Sequence, residues 1–151
     1  MSKVKLICHT KGAPGLRFFG LGPGLRPQNG LKKLQNLLNN NTFWATNRSR
    51  EQIRRSLANS TEIVSLWVVD DLIGFGRATS DHVFRAVFWD LVIREDLQGN
   101  GYGKIVVEAL LNRSSIKKVE KIYLMSTNSS SFYEQLNFKE AKRQKLLLKN
   151  N

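Results

Sequence analysis

The hydrophobic positions of the first third of the chain predict two short helices. Four leucines at helical spacing give the first helix an apolar face, and this helix is expected to end at Asn39–Asn41. These leucines are Leu31, Leu34, Leu37 and Leu38. The second helix begins near Ser49, because Ser49 and Gln52 have the spacing of a capping box and Ile53 with Leu57 supplies an i,i+4 apolar pair.

Apolar runs in the rest of the chain predict strands with helices between them. The predicted strands cover 1–9, 63–69, 72–79, 86–93, 121–125 and 138–148, and the predicted helices cover 102–110 and 129–136. Asp70 and Asp71 supply a turn that joins two strands into a hairpin, and the near-continuous apolarity of 86–93 indicates a central strand. A hairpin followed by a strand, a helix and a strand predicts an α/β fold (α+β in some schemes) with a mixed sheet and helices on both faces.

Length and composition favour one domain over residues 1–151. The chain has 41% hydrophobic residues, enough for a core, and residues 12–30 read as a loop because they hold six of the eleven glycines and all three prolines. The single cysteine, Cys8, excludes a disulfide framework and a cysteine-rich zinc site, so no metal is expected. Residues 1–9 lack the pattern of a secretory leader, and no apolar run approaches the ~20 residues that span a bilayer, so no membrane partner is expected.

The charge of the chain is strongly positive and unevenly placed. Twenty-four Lys and Arg against twelve Asp and Glu give +12, which favours a polyanionic partner. Residues 1–58 carry +10 and residues 139–151 carry +4, whereas 59–138 carry −2. Because no RNP, KH or helix-turn-helix pattern accompanies the basic ends, the sequence argues against nucleic-acid binding.

A glycine-rich turn lies between the predicted central strand and the helix that follows it. Its sequence, Gln98-Gly99-Asn100-Gly101-Tyr102-Gly103, lets the backbone turn sharply and approach a ligand closely. The unpaired amides and the dipole of the helix start favour an anion such as a pyrophosphate. The glycine spacing does not fit a dinucleotide-binding fingerprint, and Gly103-Lys104-Ile105 lacks the hydroxyl of a P-loop, so another class of phosphate site is indicated.

Three motifs resemble the GNAT-type N-acetyltransferases. Gln98, Gly101 and Gly103 match the family's Q/R-x-x-G-x-G/A loop. The segment Phe132–Phe138 (FYEQLNF) is similar to the family's F-Y-x-x-L-G-F, with Asn137 in place of glycine. The segment 63–103 resembles a plastid and cyanobacterial group that includes plant-type serotonin N-acetyltransferases, and the resemblance covers about residues 40–148. Members of that group often have an acidic residue where this chain has Ser126.

The resemblance implies the GNAT acyl-CoA N-acyltransferase fold, with a mixed, mostly antiparallel central sheet, and acetyl-CoA as cosubstrate. It also implies a β-bulge in the Asp90–Ile93 region that exposes strand amides to the acetyl carbonyl and pantetheine. The residues expected to bind the cofactor are Leu91, Val92, Ile93, Gln98, Gly99, Asn100, Gly101, Tyr102, Gly103, Lys104, Asn128 and Phe132.

Two residues are candidates for proton transfer. By resemblance, Tyr133 is the acid that protonates the departing thiolate, or else packs over the cofactor without transferring a proton. Asp90 stands in an apolar stretch, where a carboxylate is costly unless it is hydrogen-bonded or functional. Two interpretations of Asp90 therefore stay open: a structural aspartate, or a member of a base relay. Arg77 and Asp81 flank the hairpin end, where they either form a structural salt pair, the favoured interpretation, or line the acceptor cleft.

The predicted reaction is direct attack of a primary amine on acetyl-CoA. The resemblance points to a small arylalkylamine such as serotonin or tryptamine, and the alternatives are a protein lysine or N-terminus, a basic nucleic-acid-binding protein, or an acyl-CoA binder without catalysis. Four aromatic residues, Phe43, Trp44, Trp67 and Trp89, could form an amine pocket, although core packing is the expected role of any one of them. A homodimer is compatible with the sequence. The group and the thirteen asparagines suggest the plastid stroma, or the cytoplasm for a bacterial protein.

Overall fold

Five strands form one sheet in the chain order β1-β2-β3-β4-β5. Their bounds are Val4–Thr10, Glu62–Val68, Asp71–Ser80, Arg85–Ile93 and Lys121–Tyr123. The pairs from β1 to β4 are antiparallel, and β5 runs parallel to β4. The computed structural model describes residues 3–10 and 29–151, so almost all of the predicted loop over 12–30 lies outside the described residues. Within the described part, the mixed, mostly antiparallel sheet is confirmed.

Five helices accompany the sheet within residues 3–10 and 29–151. They are α1 Gly30–Asn41, α2 Arg50–Ala58, α3 Tyr102–Leu111, α4 Ser114–Lys117 and α5 Ser130–Glu134, and a 3-10 turn covers Glu95–Leu97. The predicted capping box is present: the Ser49 hydroxyl accepts from the Gln52 N–H, and the Gln52 side chain accepts from the Ser49 N–H. The first helix ends at Asn41, as the run of asparagines predicts.

Two hydrophobic layers hold the helices on opposite faces of the sheet. On one face, the leucines of α1 and α2 pack against Ile63, Trp67 and Phe75. On the other face, α3 packs against Val64 and Leu66. Because successive side chains of a strand point to opposite faces, β2, β3 and β4 each supply residues to both layers. The prediction of helices on both faces is confirmed.

The predicted end strand over 138–148 is wrong. Phe138 packs against Phe88 and Tyr133, with ring centroids 6.1 and 6.0 Å apart, but the described residues 138–151 form no strand. Residues 139–145 (KEAKRQK) have no alternating apolar positions to bury, and Leu146–Leu148 are exposed. An apolar face is what would hold a strand to the sheet, and this segment lacks one.

Candidate active site

A cavity of about 870 Å³ opens beside the C-terminal half of β4. The β4–β5 pairing is limited to the register from Arg85↔Lys121 to Val87↔Tyr123, so no strand of the described residues pairs with β4 beyond Val87 on that side. Five parts of the chain line the cavity: Phe75 of β3, the end of β4 with Glu95, the glycine-rich loop with the start of α3, α5 with its flanking residues, and the end of α1 with the connection to α2.

A β-bulge shapes the β4 wall of this cavity. Phe75 pairs with Val92 and Arg77 pairs with Trp89, so two residues of β4, Asp90 and Leu91, oppose the single residue Gly76 of β3. Asp90 has φ = +54°, a left-handed conformation that aspartate tolerates better than most residues. The bulge implied by the family resemblance is therefore present, and it changes the direction in which the following backbone amides point.

The carboxylate of Asp90 is held by two arginines. Arg77 Nε donates to Asp90 Oδ2 at 2.8 Å, and Arg48 Nη1 donates to the same oxygen at 3.0 Å. The Asp90 side chain is 8% exposed. The expected Arg77–Asp81 pair is wrong. Asp81 accepts instead from the backbone N–H groups of the turn after β3, and these hydrogen bonds, led by that of Arg85, lower the pKa of Asp81.

The glycine-rich loop adopts backbone conformations that require glycine. Gly99 has φ = +79° and Gly101 has φ = +85°. Gly101 is the N-cap of α3, no side chain caps the helix, and a Cβ on either glycine would meet no atom within 4 Å. The space beside Gly99 and Gly101 is therefore open, and Gly101, Gly103 and Lys104 at the start of α3 line the cavity. The Gln98 side chain donates to the Ile93 carbonyl at 3.1 Å, which ties the loop to the end of β4.

Gly103 allows α5 to approach the start of α3. A Cβ on Gly103 would lie 3.1 Å from Phe132 Cζ. The ring of Phe132 in turn contacts that of Tyr133, with centroids 5.0 Å apart. Two of the cofactor-site residues predicted from separate motifs, Gly103 and Phe132, are thus in direct contact range, although 29 positions separate them in the sequence.

Tyr133 is half-buried on the wall of the cavity. Burial raises the pKa of its phenol above the ordinary value near 10, so the hydroxyl keeps its proton at neutral pH and is available as a donor. The turn after α5 keeps the tyrosine in place. Asn137 takes φ = +69°, and the Phe138 N–H donates to the Tyr133 carbonyl at 3.0 Å. Asparagine therefore adopts the left-handed conformation expected of glycine at a helix end.

The four candidate aromatic residues do not form one pocket. Trp67 is fully buried in the core, and its Nε1 donates to Ser65. Trp89 donates to Thr79 Oγ1 beneath the Arg77 guanidinium. Phe43 and Trp44, on the connection between α1 and α2, line the cavity and are 73% and 43% exposed. The sequence pattern could not separate these two pairs, because it does not show which aromatic residues the sheet covers.

Eleven of the fourteen predicted site residues line the cavity. They are Leu91, Val92, Ile93, Gln98, Gly99, Gly101, Gly103, Lys104, Asn128, Phe132 and Tyr133. Asp90, Asn100 and Tyr102 lie next to lining residues but not among them. Asn100 Nδ2 donates to the Leu97 carbonyl at 3.0 Å and so holds the loop's own backbone.

Sequence reasoning did not single out three residues that belong to the site. Asn41 accepts from the Glu95 N–H at 2.8 Å, which joins the end of α1 to the end of β4, and Asn41 and Glu95 both line the cavity. Arg48, the third, reaches Asp90 from a position 42 residues earlier. None of the three belongs to a sequence motif. Glu95 lies close to the glycine-rich loop in the sequence, and this proximity is the one signal that could have indicated it.

Across 3–10 and 29–151, no group of three His, Cys, Asp or Glu side chains is placed to hold a metal ion. In the same residues, no helix has both the length and the apolar character needed to cross a bilayer.

Comparison with known proteins places these features in a family. Residues 62–140 match the family model described as an acetyltransferase (GNAT) domain. An uncharacterised N-acetyltransferase of Pyropia yezoensis, ycf52, is 38% identical over 96 residues, which are 60% of this chain and 55% of the relative. The chloroplastic serotonin N-acetyltransferase 2 of Oryza sativa subsp. japonica is 36% identical over 99 residues, 60% of this chain and 48% of the relative. The chain thus spans about half the length of the curated relatives it matches.

Solved structures agree on the fold. A GNAT-family acetyltransferase from Streptococcus pneumoniae has a TM-score of 0.72 to this chain, with 98% of each chain covered and 15% sequence identity. A likeness at this identity establishes the fold alone. It covers the region before residue 62, which the family model does not reach.

Proposed function

The chain belongs to the GNAT acetyltransferase family, and on that premise we propose that it transfers the acetyl group of acetyl-CoA to a primary amine. The observation that carries this proposal is the single cavity that brings together the glycine-rich loop, the unpaired end of β4 and Tyr133. Each of the three supplies a different requirement of acyl transfer: an anion site, donors to an oxyanion, and a donor to a leaving group.

The glycine-rich loop and the start of α3 would hold the pyrophosphate. The first turn of α3 begins at the cavity wall without a side-chain cap, and its backbone N–H groups carry the positive end of the helix dipole. Lys104 lies in the same turn and lines the cavity, where its charge adds to the attraction. The backbone of β4 from Leu91 to Ile93 would bind the pantetheine arm, since no neighbouring strand uses that edge.

Acetyl-CoA supplies the activated thioester, whose carbonyl carbon the amine attacks to form a C–N bond while the C–S bond breaks. The amides that follow the bulge, near Val92 and Ile93, would donate to the carbonyl oxygen as it gains negative charge. The Tyr133 hydroxyl, kept protonated by its burial, would donate to the departing sulfur. The neutral amine loses one proton as the sulfur gains one, so the transfer itself is balanced. An amine that arrives as an ammonium ion first releases one further proton to solvent.

A small arylalkylamine such as serotonin or tryptamine is the proposed acceptor. The aromatic rings of Phe43 and Trp44 offer apolar surface at one end of the cavity. Glu95, an exposed residue that also lines the cavity, supplies a negative charge that suits a cationic amine. The name of the rice relative is consistent with this class. Because Phe43 is 73% exposed, the same end also admits a lysine side chain or N-terminus of a protein, which is the alternative.

The plastid stroma is the proposed location, because the rice relative carries a chloroplastic designation. A bacterial origin would instead place the protein in the cytoplasm. Association into a homodimer stays a prediction.

An acceptor screen tests the proposal. The purified chain is incubated with acetyl-CoA and tryptamine, serotonin, a polyamine or a lysine peptide, and thiol release is measured. We expect turnover with the arylalkylamines, and Phe43→Ala and Trp44→Ala to raise their KM. Phe84→Ala is the matched control, since Phe84 is exposed and lies away from the cavity. Turnover with peptides alone would replace the small amine by the protein acceptor, and no turnover with any amine would overturn the proposal.

A further inference from the structure

Three segments that are far apart in the sequence meet at the carboxylate of Asp90. Arg48 comes from the connection between α1 and α2, Arg77 from β3, and Asp90 from the bulge of β4. Both arginines bind Oδ2, at 3.0 and 2.8 Å. The side chains of Asp90 and Arg77 are largely buried, whereas that of Arg48 is 36% exposed. The cluster therefore joins the sheet to a segment outside it.

The arginine from the helix connection is itself fixed to α1. The Gln35 side chain donates to the Arg48 carbonyl at 3.0 Å. The same connection carries Phe43 and Trp44, which line the aromatic end of the cavity. The ion pair between Arg48 and Asp90 thus links the segment that bears these rings directly to the bulge.

Asp90 is poorly placed to act as a base. Asp90 holds a left-handed backbone conformation, and its carboxylate is not among the cavity-lining groups of the described residues. Two guanidinium groups already bind its Oδ2. The Asp90 carboxylate, held by the two arginines, is therefore placed to fix the backbone on either side of Asp90. On the C-terminal side this backbone leads to the amides near Val92.

We propose that Asp90 is a positioning residue, and that the Arg48–Asp90 ion pair holds the aromatic segment at a set distance from the β4 amides. The amine and the acetyl group would then meet in a geometry determined by this pair. This inference rests on the proposed acetyl transfer. It assigns Arg48 and Arg77 a role in acceptor placement, and it replaces the base-relay interpretation of Asp90.

Variants of Asp90 separate positioning from proton transfer. Asp90→Asn keeps the shape, the tolerance of positive φ and an acceptor for both arginines, but it removes the base. We expect Asp90→Asn to lower kcat/KM by less than about tenfold and to keep the acid limb of the pH profile, whereas Asp90→Ala loses about 10²-fold because the bulge is no longer held. A loss of about 10²–10⁴-fold in Asp90→Asn, with the acid limb gone, would identify a base and overturn the proposal.

A variant of Arg48 tests the link itself. We expect Arg48→Met to raise the KM for the amine about tenfold, with the KM for acetyl-CoA changed less than about twofold. Arg54→Met is the matched control, because Arg54 pairs only with the exposed Glu51 on the surface of α2. An unchanged amine KM in Arg48→Met, or equal changes in both KM values, would refute the link.

Amide hydrogen exchange gives a readout that does not depend on activity. We expect Arg48→Met to speed exchange both in 42–48 and in 89–92, and Arg54→Met to leave both segments at the wild-type rate. Faster exchange in 42–48 alone would show that the pair does not hold the bulge. If the wild type acetylates no amine but exchange responds in both segments, the proposed function fails while the structural link stands.

Discussion

Gly76 on β3 and Leu91 in the bulge of β4 face each other with no room for another atom. A Cβ on Gly76 would lie 2.6 Å from Leu91 Cδ2 and 2.9 Å from Val106 Cγ1 of α3. The bulge needs this close approach, because Asp90 and Leu91 together oppose a single residue. The absent side chain at position 76 therefore lets the bulge and α3 pack on the same spot of the sheet.

Gly76→Ala is expected to destabilise the fold by about 1–3 kcal/mol through overpacking, although alanine is ordinarily better than glycine in a strand. The midpoint of urea unfolding measures this. Leu91→Ala in the same chain should recover part of the loss, so that the double variant is more stable than the sum of the single effects. If the free-energy changes of the two single variants simply added in the double variant, the contact between positions 76 and 91 would be contradicted.

Gly101→Val is expected to remove the stabilisation that acetyl-CoA gives. The ligand at about 100 times its Kd should stabilise the wild type by about 2.7 kcal/mol, seen as a rise in Tm. A branched side chain at φ = +85° strains the loop and occupies the open space beside it. Asn47→Val is the matched control, because Asn47 also has positive φ and lies away from the cavity. A full Tm rise in Gly101→Val would rule out the loop as the phosphate site.

Tyr133→Phe is expected to bind acetyl-CoA like the wild type and to lower kcat by about 10²-fold or more, since a donor to the sulfur is lost. The ring keeps its contacts with Phe132 and Phe138, so folding should be unaffected. Thermal shift and steady-state turnover measure the two properties separately. Tyr123→Phe, on β5 outside the cavity, is the control. Equal turnover in Tyr133→Phe and the wild type would remove Tyr133 as the donor.

The pH dependence of kcat/KM follows from the direction in which the pKa of Tyr133 is shifted. Burial raises its pKa above the ordinary value near 10, so the donor form persists to higher pH than in a free tyrosine. We expect kcat/KM to rise as the amine loses its proton, with no fall caused by Tyr133 below about pH 10. A falling limb below that pH that disappears in Tyr133→Phe would show that the pKa is lowered instead.

Local signals account for the parts of the fold and site that could be predicted. The capping box at Ser49 and the turn at Asp70 depend on residues within a few positions of each other, and both occur as predicted or one position away. The glycine-rich loop is also local, because its backbone conformations are set by Gly99 and Gly101 themselves. Such features follow from spacing alone, without any partner from elsewhere in the chain.

Partners that come from distant segments could not be predicted. Arg77 was expected to pair with Asp81, four positions away. It binds Asp90 instead, because the antiparallel register pairs Arg77 with Trp89 and so brings the adjacent bulge residue within reach. The predicted strand after Phe138 failed for a related reason, since a strand needs an apolar face and the following residues have none to bury.

The sequence by itself determined the order of the five sheet strands and of the longer helices, the glycine-rich loop and the motif around Tyr133, because each depends on residue types at short spacing. Only the tertiary structure decided which aromatic residues reach the cavity, that Arg48 binds the bulge, and that Gly76 must stay small. The physical reason is that burial and ion pairing depend on which segments the sheet brings together, and these contacts join residues tens of positions apart.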